Sequence, residues 1–561
     1  MNTHSHKMLQ PYTLPGLLRR NAQLFPQNEG VVSQKHNVRW NWKEFDHRTD
    51  EVARGLYSMG IRKGDHIAVW ATNVPEWMLI MFGAAKLGAI LVTINTNLKH
   101  AELNYLLSQS DTKMLVMLDG IKGNDYISHI TDIAPALLTS EPDAISCEQL
   151  PCLKTVILIG DHPNKPKGMY AFSDIYQKAE QTDQDIVEKC INELDPHDTV
   201  TIMYTSGTTG FPKGVVLSHF KISNNGQFTG DCMNLTPEDR LMLVVPLFHC
   251  YGYMGGVMGC ITHGTTIVLL EKYNPLKAMM LIESERCTAV HGVPTMFIGM
   301  IEHPDFEKFD FSSMRTGTMG GSPCPIKLTQ DIIDKMHIPE MLICYGQTES
   351  SSNITMGSTD EPLERRISTV GRVMPNAEAK IVNLETGEIC PPGIPGEIMT
   401  RGYHVMDGYY KMPEATSQAI DKDGWLHTGD IGTMDESGHY HITGRLKDMI
   451  IRGGENVYPR EIEEYIYEHP AILDVQVVGV PDKKYGEEIC ACIIRKEGCE
   501  VTEDELIEFV RSGLSRFKVP RYVLFMESYP LTASRKVSKR LLRDVCAQLL
   551  NLKEIGAIET A

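Results

Sequence analysis

The chain has 561 residues, 42% apolar and 22% charged, which predicts two or three globular domains and argues against disorder. Its 54 lysines and arginines against 72 aspartates and glutamates give a formal charge of −18. That charge argues against nucleic acid or an anionic membrane as the main partner.

The N-terminal part alternates predicted helices and strands. Residues 42–59 carry a helical apolar face, and Gly60 follows where a helix C-cap glycine would lie. Residues 66–71 and 89–95 have the pattern of buried strands, and they enclose a helix over 75–88 that begins with proline. Strand, helix and strand with short connections predict a parallel βαβ unit.

Further along, the same pattern recurs near 153–160 and 199–300, which predicts stacked α/β sheets with helices on their faces. From about 371 to 445, short strands alternate with glycine turns, as in a small β-rich subdomain. The remaining strands and helices predict a small α+β domain. We expect an N-terminal domain of residues 1–446 and a C-terminal domain of residues 447–561.

One segment, residues 241–270, contains no acidic residue, lysine or arginine and is long enough to cross a bilayer. Its Pro246, His249, His263 and several glycines favour a buried strand, loop and helix instead. The first 26 residues show neither the apolar core nor the cleavage site of a signal peptide. We expect no transmembrane segment, while peripheral membrane contact and a homodimer stay open.

Cysteine and histidine spacing gives little sign of a metal site. None of the 14 cysteines forms a CxxC pair, and Cys490 and Cys492 alternate along a predicted strand. We expect small buried thiols in a reducing cytoplasm, and therefore a cytoplasmic protein. His439 and His441 share one strand face without a third ligand, so we expect surface residues rather than zinc ligands.

Residues 205–214 read TSGTTGFPKG, a mixture of hydroxyls and glycines that is typical of a phosphate-binding loop. It differs from the ordinary P-loop, because Pro212 and Gly214 flank Lys213 where a glycine and a hydroxyl are required. A P-loop kinase or NTPase is therefore disfavoured. Taken alone, the segment also fits a solvent-exposed loop. The candidate phosphate-binding residues are Thr205, Ser206, Gly207, Thr208, Thr209, Gly210 and Lys213.

Five segments in order resemble the adenylate-forming superfamily, which includes acyl-CoA synthetases, peptide-synthetase adenylation domains and firefly-type luciferases. The resemblance implies that a carboxylic acid reacts with ATP to give an acyl adenylate, and that the acyl group then passes to a thiol. It also implies ATP, Mg²⁺ and CoA as cofactors. The segments are YTSGTTGFPKGVVLSH (204–219), YGQTE (345–349), GWLHTGD (424–430), GRLKDMI (444–450) and PLTASRKVSK (530–539).

By this resemblance, residues 205–213 surround the β- and γ-phosphates. Glu349 would hold magnesium, a hard ion that prefers carboxylate oxygen, and Thr348 would lie near the α-phosphate. Asp430 would accept hydrogen bonds from the ribose hydroxyls, and Arg445 would be a second ribose contact. Outside their motifs, Glu349 and Asp430 would be ordinary helix-start and turn carboxylates. The residues expected to flank adenine are Gly320, Gly321, Ser322, Pro323 and Tyr345, and Gly346 is expected among the cofactor-binding residues.

The resemblance assigns the first step to Lys536, whose ammonium would bridge the acid's carboxylate and the α-phosphate. Arg535 stands where the family usually has glycine, and a φ above zero would cost arginine about 1 kcal/mol. Alternatively, Lys536 belongs to a solvated basic helix start. For the second step, Lys447 matches the hinge of the mobile C-terminal domain, and Gly453 and Gly454 match the glycines of the pantetheine channel.

The kind of acid is predicted partly from residues that related families carry and this chain lacks. His249 resembles the gate between acyl pocket and thiol channel, where peptide-synthetase domains usually carry an aspartate, so a free amino acid is disfavoured. Gly346 stands where acetyl-CoA synthetases carry tryptophan, which leaves room for several carbons. The glycines and methionines of residues 250–260 either line a tunnel or allow close helix packing.

We therefore expect an acyl-CoA synthetase for a medium- or long-chain fatty acid. An aryl or alicyclic carboxylate is the alternative substrate, and a carrier-protein arm is the alternative thiol. A non-catalytic nucleotide-binding protein is disfavoured because Lys536, Glu349 and Thr348 are all present.

Overall fold

The computed structural model describes residues 8–160, 162–205, 212–453, 455–532 and 536–552. Mixed α/β sheets form the large N-terminal part, a β-rich sheet follows, and a smaller α+β unit ends the chain. This is the predicted fold class. In chain order the α-helices are α1 (Leu14–Leu24), α2 (Trp42–Ser58), α3 (Pro75–Lys86), α4 (His100–Gln109), α5 (Tyr126–Ile133), α6 (Asp174–Ala179), α7 (Asp185–Asn192), α8 (His219–Cys232), α9 (Gly259–His263), α10 (Pro275–Ser284), α11 (Pro294–Ile301), α12 (Ile326–Lys335), α13 (Leu363–Ser368), α14 (Pro413–Ala419), α15 (Pro459–Tyr467), α16 (Glu503–Gly513) and α17 (Lys539–Leu549).

The strands form two large sheets, a β-rich sheet and a C-terminal sheet, with a short two-stranded ribbon beside them in the described residues. In chain order they are β1 (Glu29–Ser33), β2 (Val38–Asn41), β3 (His66–Trp70), β4 (Ile90–Thr93), β5 (Met114–Met117), β6 (Gly120–Ile121), β7 (Asn124–Asp125), β8 (Thr155–Leu158), β9 (Met169–Ala171), β10 (Thr199–Thr205), β11 (Lys213–Ser218), β12 (Arg240–Leu243), β13 (Thr266–Leu269), β14 (Ala289–Gly292), β15 (Thr316–Gly320), β16 (Glu340–Tyr345), β17 (Thr355–Met356), β18 (Arg372–Val373), β19 (Ala377–Val382), β20 (Gly396–Gly402), β21 (Gly408–Tyr409), β22 (Leu426–Met434), β23 (Tyr440–Arg445), β24 (Ile450–Arg452), β25 (Glu455–Val457), β26 (Ile472–Asp482), β27 (Gly486–Arg495) and β28 (Tyr522–Phe525).

The predicted βαβ unit is confirmed. Pro75 opens α3 at its first turn, where a missing N–H costs nothing, and β3 and β4 pair in parallel. Gly60 has a φ of +89°, the left-handed conformation expected just after α2. These elements belong to the sheet with strand order β21-β11-β10-β4-β3-β5-β8-β9, while the other large sheet has the order β18-β17-β16-β15-β14-β12-β13-β1-β2.

The uncharged stretch 241–270 is a buried strand, loop and helix, as predicted. It runs from β12 through a π-helix at Tyr251–Met258 into α9 and β13. A Cβ added to Gly252 would lie 2.2 Å from the carbonyl oxygen of Pro246, and one added to Gly256 would lie 2.5 Å from a methyl of Leu243. These two glycines therefore permit close packing. Of the helices described, none combines the length and apolarity needed to cross a bilayer.

The C-terminal unit has its own sheet, in the order β25-β24-β27-β26 with β28 beside β27. Its buried apolar side chains, from residues 450 to 546, form clusters separate from those of the N-terminal sheets. The β-rich sheet has the order β19-β20-β22-β23 and precedes it directly. The division at 446/447 remains a proposal that these separate cores support.

Two expectations about surface residues are wrong. His439 is only 2% exposed, and its Nε2 lies 2.7 Å from Oε1 of Glu361, because the 435–439 turn folds its ring inward.

Two cysteines, Cys152 and Cys499, are exposed rather than buried. All 14 cysteines are free thiols, which suits a reducing compartment. The cytoplasmic location stays a prediction.

A fully buried lysine joins α2 to α3. The amine of Lys86 lies 2.6 Å from a carboxylate oxygen of Asp46 and 2.6 Å from one of Asp50. It also donates to the carbonyl oxygen of Asp46 at 2.9 Å. Because the lysine is buried while Asp50 is about 31% exposed, the carboxylates are partly solvated and the amine is not.

We predict that Lys86→Met lowers the stability of the N-terminal part by about 2–3 kcal/mol, since two carboxylates lose their shared counter-charge. The matched control is Lys63→Met, because Lys63 is 46% exposed in its ion pair with Asp198 and its loss should cost under about 1 kcal/mol. Thermal unfolding followed by circular dichroism measures both. Equal destabilisation by the two substitutions would contradict this account.

Candidate active site

The predicted site residues meet at the carboxyl ends of two parallel strands. β15 ends at Gly320 and β16 at Tyr345, and their register pairs Gly320 with Cys344. The loops after both strands, 320–325 and 346–347, therefore start side by side, as at ligand sites of other parallel α/β sheets. An added Cβ on Gly320 would lie 2.6 Å from the Cys344 sulfur, so the close strand pairing requires glycine there.

Lys536 extends from the C-terminal unit to this edge. A Cβ added to Gly321 would lie 2.8 Å from its Cε and 3.0 Å from its Nζ. Gly321 also has a φ of +80°, which side chains other than glycine rarely adopt. The turn therefore leaves room for the lysine amine.

Lys536 is partly buried, and Arg445 and Asp430 are among the charged groups near its amine. Burial lowers the pKa of Lys536, while the nearby Cys250 thiol acts in the opposite direction. Burial, together with the positive charge of Lys536, lowers the pKa of His249 to about 3. His249 is therefore neutral at physiological pH, and its Nδ1 accepts from the Tyr251 N–H at 3.2 Å.

Asp430 joins the β-rich sheet to the same edge. It is 4% exposed, its Oδ2 accepts from the Tyr345 hydroxyl at 2.8 Å, and its Oδ1 lies 3.0 Å from Nε of Arg445. The β22–β23 register pairs Asp430 with Arg445 directly. Burial raises the pKa of Asp430, and the charge of Arg445 opposes that rise.

Glu349 lies in a short 3₁₀ turn, Thr348–Ser350, directly after β16 and its loop. Its Oε1 accepts from the Tyr409 hydroxyl at 2.9 Å and from the Thr205 hydroxyl at 3.4 Å. The amine of Lys213 lies 4.9 Å from the centre of the Tyr409 ring. Since β10 pairs Thr205 with Lys213 across the hairpin, both ends of the predicted phosphate loop lie beside Glu349.

Thr348 is 7% exposed and its hydroxyl lies beside the Cys250 thiol. Ser322 is partly buried, and Pro323 is exposed beyond Gly321. The loop between the hairpin ends lies outside the described residues, as do Gly454 and Arg535, so the roles given to them stay predictions. The loop residues in question are Ser206, Gly207, Thr208, Thr209 and Gly210.

Of the residues predicted for the hinge and the pantetheine path, Lys447 lies near Asp430 and Arg445, whereas Gly453 contacts Tyr485. Lys447 lies exposed in the 3₁₀ turn Leu446–Asp448, and burial of its amine still lowers its pKa. Gly453 has a φ of +61°, and its N–H donates to the carbonyl oxygen of Tyr485 at 2.8 Å. An added Cβ would lie 2.9 Å from the Tyr485 ring, so glycine has a local cause at this position.

Gly346 corrects part of the substrate argument. An added Cβ would lie 1.9 Å from the carbonyl oxygen of Ser352 and 2.8 Å from Cα of Asn353. The backbone at 352–353 already occupies the place of a side chain. Glycine is therefore required at 346 by the fold, and it does not by itself indicate a longer acyl pocket.

Two contacts have no recognisable sequence signal. The Tyr409 hydroxyl on Glu349 comes from β21, sixty residues away in the chain. In α15, the Glu464 carboxylate lies near the backbone of Ile326, the first residue of α12, and pairs with Arg460 at 3.4 Å. Burial raises the pKa of Glu464. This contact docks the C-terminal unit onto the loop that faces Lys536.

Relatives cover almost the whole chain. YngI of Bacillus subtilis, named as an acyl-CoA synthetase, is 46% identical over 540 residues, which are 96% of this chain and 98% of YngI. The mitochondrial medium-chain acyl-CoA ligase ACSF2 of Mus musculus is 41% identical over 556 residues, 98% of this chain and 90% of the relative.

Solved structures agree on the fold. MatB from Rhodopseudomonas palustris, solved with ATP bound, is 27% identical with a TM-score of 0.81, covering 95% of this chain and 99% of MatB.

Two family models match the chain. The model described as AMP-binding enzyme matches residues 18–410, and the model of the AMP-binding enzyme C-terminal domain matches residues 461–536. The chain therefore belongs to the AMP-binding enzyme family and contains both of its domains.

Proposed function

We propose that this protein is an acyl-CoA synthetase that activates a medium-chain fatty acid with ATP and transfers the acyl group to CoA. The observation that carries the proposal is the amine of Lys536 against Gly321, at the strand edge that also holds Tyr345 and Glu349. A carboxylate is a poor electrophile at neutral pH and must first be activated as an acyl adenylate. Forming the adenylate brings two anions together, the carboxylate of the acid and the α-phosphate of ATP.

The adenosine part of ATP fits the edge formed by β15, β16 and β22. We assign the adenine to the space between the 320–323 loop and the Tyr345 ring. Asp430 would accept from the ribose hydroxyls, since a buried carboxylate has acceptor capacity beyond its contacts with Tyr345 and Arg445. Arg445, about half exposed, would be the second ribose contact.

The triphosphate would lie along the hairpin from Thr205 to Lys213, where backbone N–H groups and hydroxyls suit phosphate oxygens. Glu349 would hold Mg²⁺. Both hydroxyls that reach it in the described residues donate to Oε1, which leaves the lone pairs of Oε2 for a hard cation. Bound there, Mg²⁺ would supply positive charge to the phosphates.

Lys536 addresses the repulsion that opposes the first step. Two unit negative charges 4 Å apart repel by about 4 kcal/mol at an effective dielectric constant of 20. An ammonium between them reverses the sign of that interaction, and its position is fixed before the substrates bind. Thr348, beside Cys250, would orient the α-phosphate.

For the second step, we propose that the C-terminal unit moves about Lys447 and that Gly453 and Gly454 line the pantetheine path. His249 would separate the acyl site from that path. Its low pKa keeps the ring neutral, so it adds no charge beside an apolar acyl chain. Gly346 is fixed by the backbone, so it does not indicate the chain length of the acid. We infer a medium chain instead from the relatives named medium-chain acyl-CoA ligase, which are 39–41% identical.

We predict that Lys536→Ala lowers acid-dependent exchange of pyrophosphate into ATP by about 100-fold or more, because one preorganised cation is lost from the transition state. Conversion of supplied acyl-AMP and CoA to acyl-CoA should stay near the original rate. Lys483→Ala, an exposed lysine of the same unit, is the control. Equal loss in both half-reactions would contradict the role of Lys536.

We predict that octanoate supports faster pyrophosphate exchange than butyrate, palmitate or benzoate, and that CoA accepts the acyl group. Exchange rates at matched acid concentrations, followed by chromatography of the thioester, measure both. A preference for benzoate would favour the aryl alternative. Turnover only with a phosphopantetheinyl carrier protein would show that the carrier protein, and not CoA, is the thiol substrate.

We predict that Glu349→Gln raises the Mg²⁺ concentration needed for half-maximal exchange by roughly 10-fold or more, because a charged ligand becomes neutral. Tyr409→Phe keeps the carboxylate and removes one hydrogen bond, so its effect should be several-fold smaller. Magnesium titrations of both variants test this. An unchanged Mg²⁺ requirement in Glu349→Gln would show that Glu349 does not bind the metal.

A further inference from the structure

Three buried thiols meet in the C-terminal unit, away from the residues of the nucleotide site. Cys490 and Cys492 project from the same face of β27, and Cys546 comes from α17. All three are fully buried, and their sulfurs lie within 4.8 Å of one another. We propose that this thiol cluster is a binding site for a soft monovalent cation of the Cu(I) class.

The spacing of the sulfurs suits a shared ion. With metal–sulfur bonds of about 2.3 Å, a planar three-sulfur site has sulfur–sulfur edges of about 4.0 Å. The Cys492 and Cys546 sulfurs are 3.2 Å apart, and all three sulfurs lie within 4.8 Å of one another, so the cluster has the size of such a site. Opening the Cys492–Cys546 pair by about 0.8 Å would bring it to that edge length.

A positive charge lies next to the thiol cluster. The Lys539 amine brings positive charge near Cys492, while it also bonds the Glu463 carboxylate at 2.6 Å. On binding, the S–H protons pass to solvent and the sulfurs become ligands.

The choice of ion follows from the number and softness of the ligands. Zinc prefers four ligands, and no other His, Cys, Asp or Glu of the described chain joins this cluster. Apart from Lys539, whose amine bonds Glu463 and the Val477 carbonyl oxygen, the neighbours are mainly apolar, including buried Val478, Val480 and Leu542, so a water ligand would have few hydrogen-bond partners. Three thiolates in an apolar pocket therefore favour Cu(I), which takes soft sulfur ligands.

An ion here would join α17 to β27 within the unit that carries Lys536. Helix α17 begins at Lys539, three residues after Lys536, and its buried face packs against the sheet through Leu542 and Cys546. A ligand that binds the folded state alone stabilises that state in proportion to its free concentration. Occupancy is therefore expected to raise the thermal stability of the C-terminal unit.

The test is a competition for Cu(I) under anaerobic, reducing conditions. The full-length protein is titrated into the coloured Cu(I)–bicinchoninate complex, and loss of colour reports the ion transferred. Cys499→Ser is the matched control, because Cys499 is an exposed thiol of the same unit. Cys490→Ser, Cys492→Ser and Cys546→Ser each remove one ligand, and near-ultraviolet circular dichroism identifies the variants that keep the native fold.

We expect the original protein and Cys499→Ser to take up one more Cu(I) per chain than any folded cluster variant. Their thermal midpoint should rise by roughly 5 °C with Cu(I), and that of the cluster variants should not. Equal uptake by the cluster variants, no uptake by the original protein, or a cluster-dependent shift with Zn²⁺ alone would overturn the proposal. A Cys492–Cys546 disulfide in freshly purified protein would also overturn it.

Discussion

The close approach of Lys536 to Gly321 is the constraint on which the rest of the site depends. Nζ would lie 3.0 Å from an added Cβ, and Gly321 has a φ of +80°, so glycine lets the turn form while the lysine amine lies directly against it. The lysine belongs to the C-terminal unit and the glycine to the parallel sheet. This arrangement therefore exists only while the two parts are docked, and Glu464 of α15 lies at their contact, near the start of α12.

Charge balance explains why a protein of formal charge −18 can gather anionic substrates. Each acidic residue of the site lies beside a cation or a hydroxyl. Asp430 pairs with Arg445, and Glu349 accepts from Tyr409 and Thr205. Lys213 and Lys536 stay near the edge where phosphate and carboxylate would meet. The local potential is therefore set by side chains within a few ångströms, while the net charge describes the distant surface.

Local pattern predicted much of the fold. The helix that Pro75 opens and the glycine after α2 follow from short-range backbone preferences, and both agree with the structure. Family motifs predicted residues that the fold brings together, as in the contact between Tyr345 and Asp430. Such segments carry their information within about ten residues, so a single sequence is enough to find them.

Contacts between distant segments were not predictable in this way. Tyr409 reaches Glu349, and Cys546 joins Cys492, through strand and helix packing that no spacing rule encodes. His439 was expected at the surface because no third metal ligand was found for it, whereas the turn before β23 buries its ring against Glu361. Gly346 was attributed to the substrate, whereas the backbone at 352–353 requires it. In each case the deciding partner lies far away in the chain or in the backbone of a neighbouring loop.

The most direct test of the central claim is a crystal structure of the protein with ATP and Mg²⁺. We expect the triphosphate along the hairpin between Thr205 and Lys213, the metal on Glu349, and the α-phosphate within reach of the Lys536 amine. A triphosphate bound elsewhere, with this strand edge unoccupied, would contradict the account.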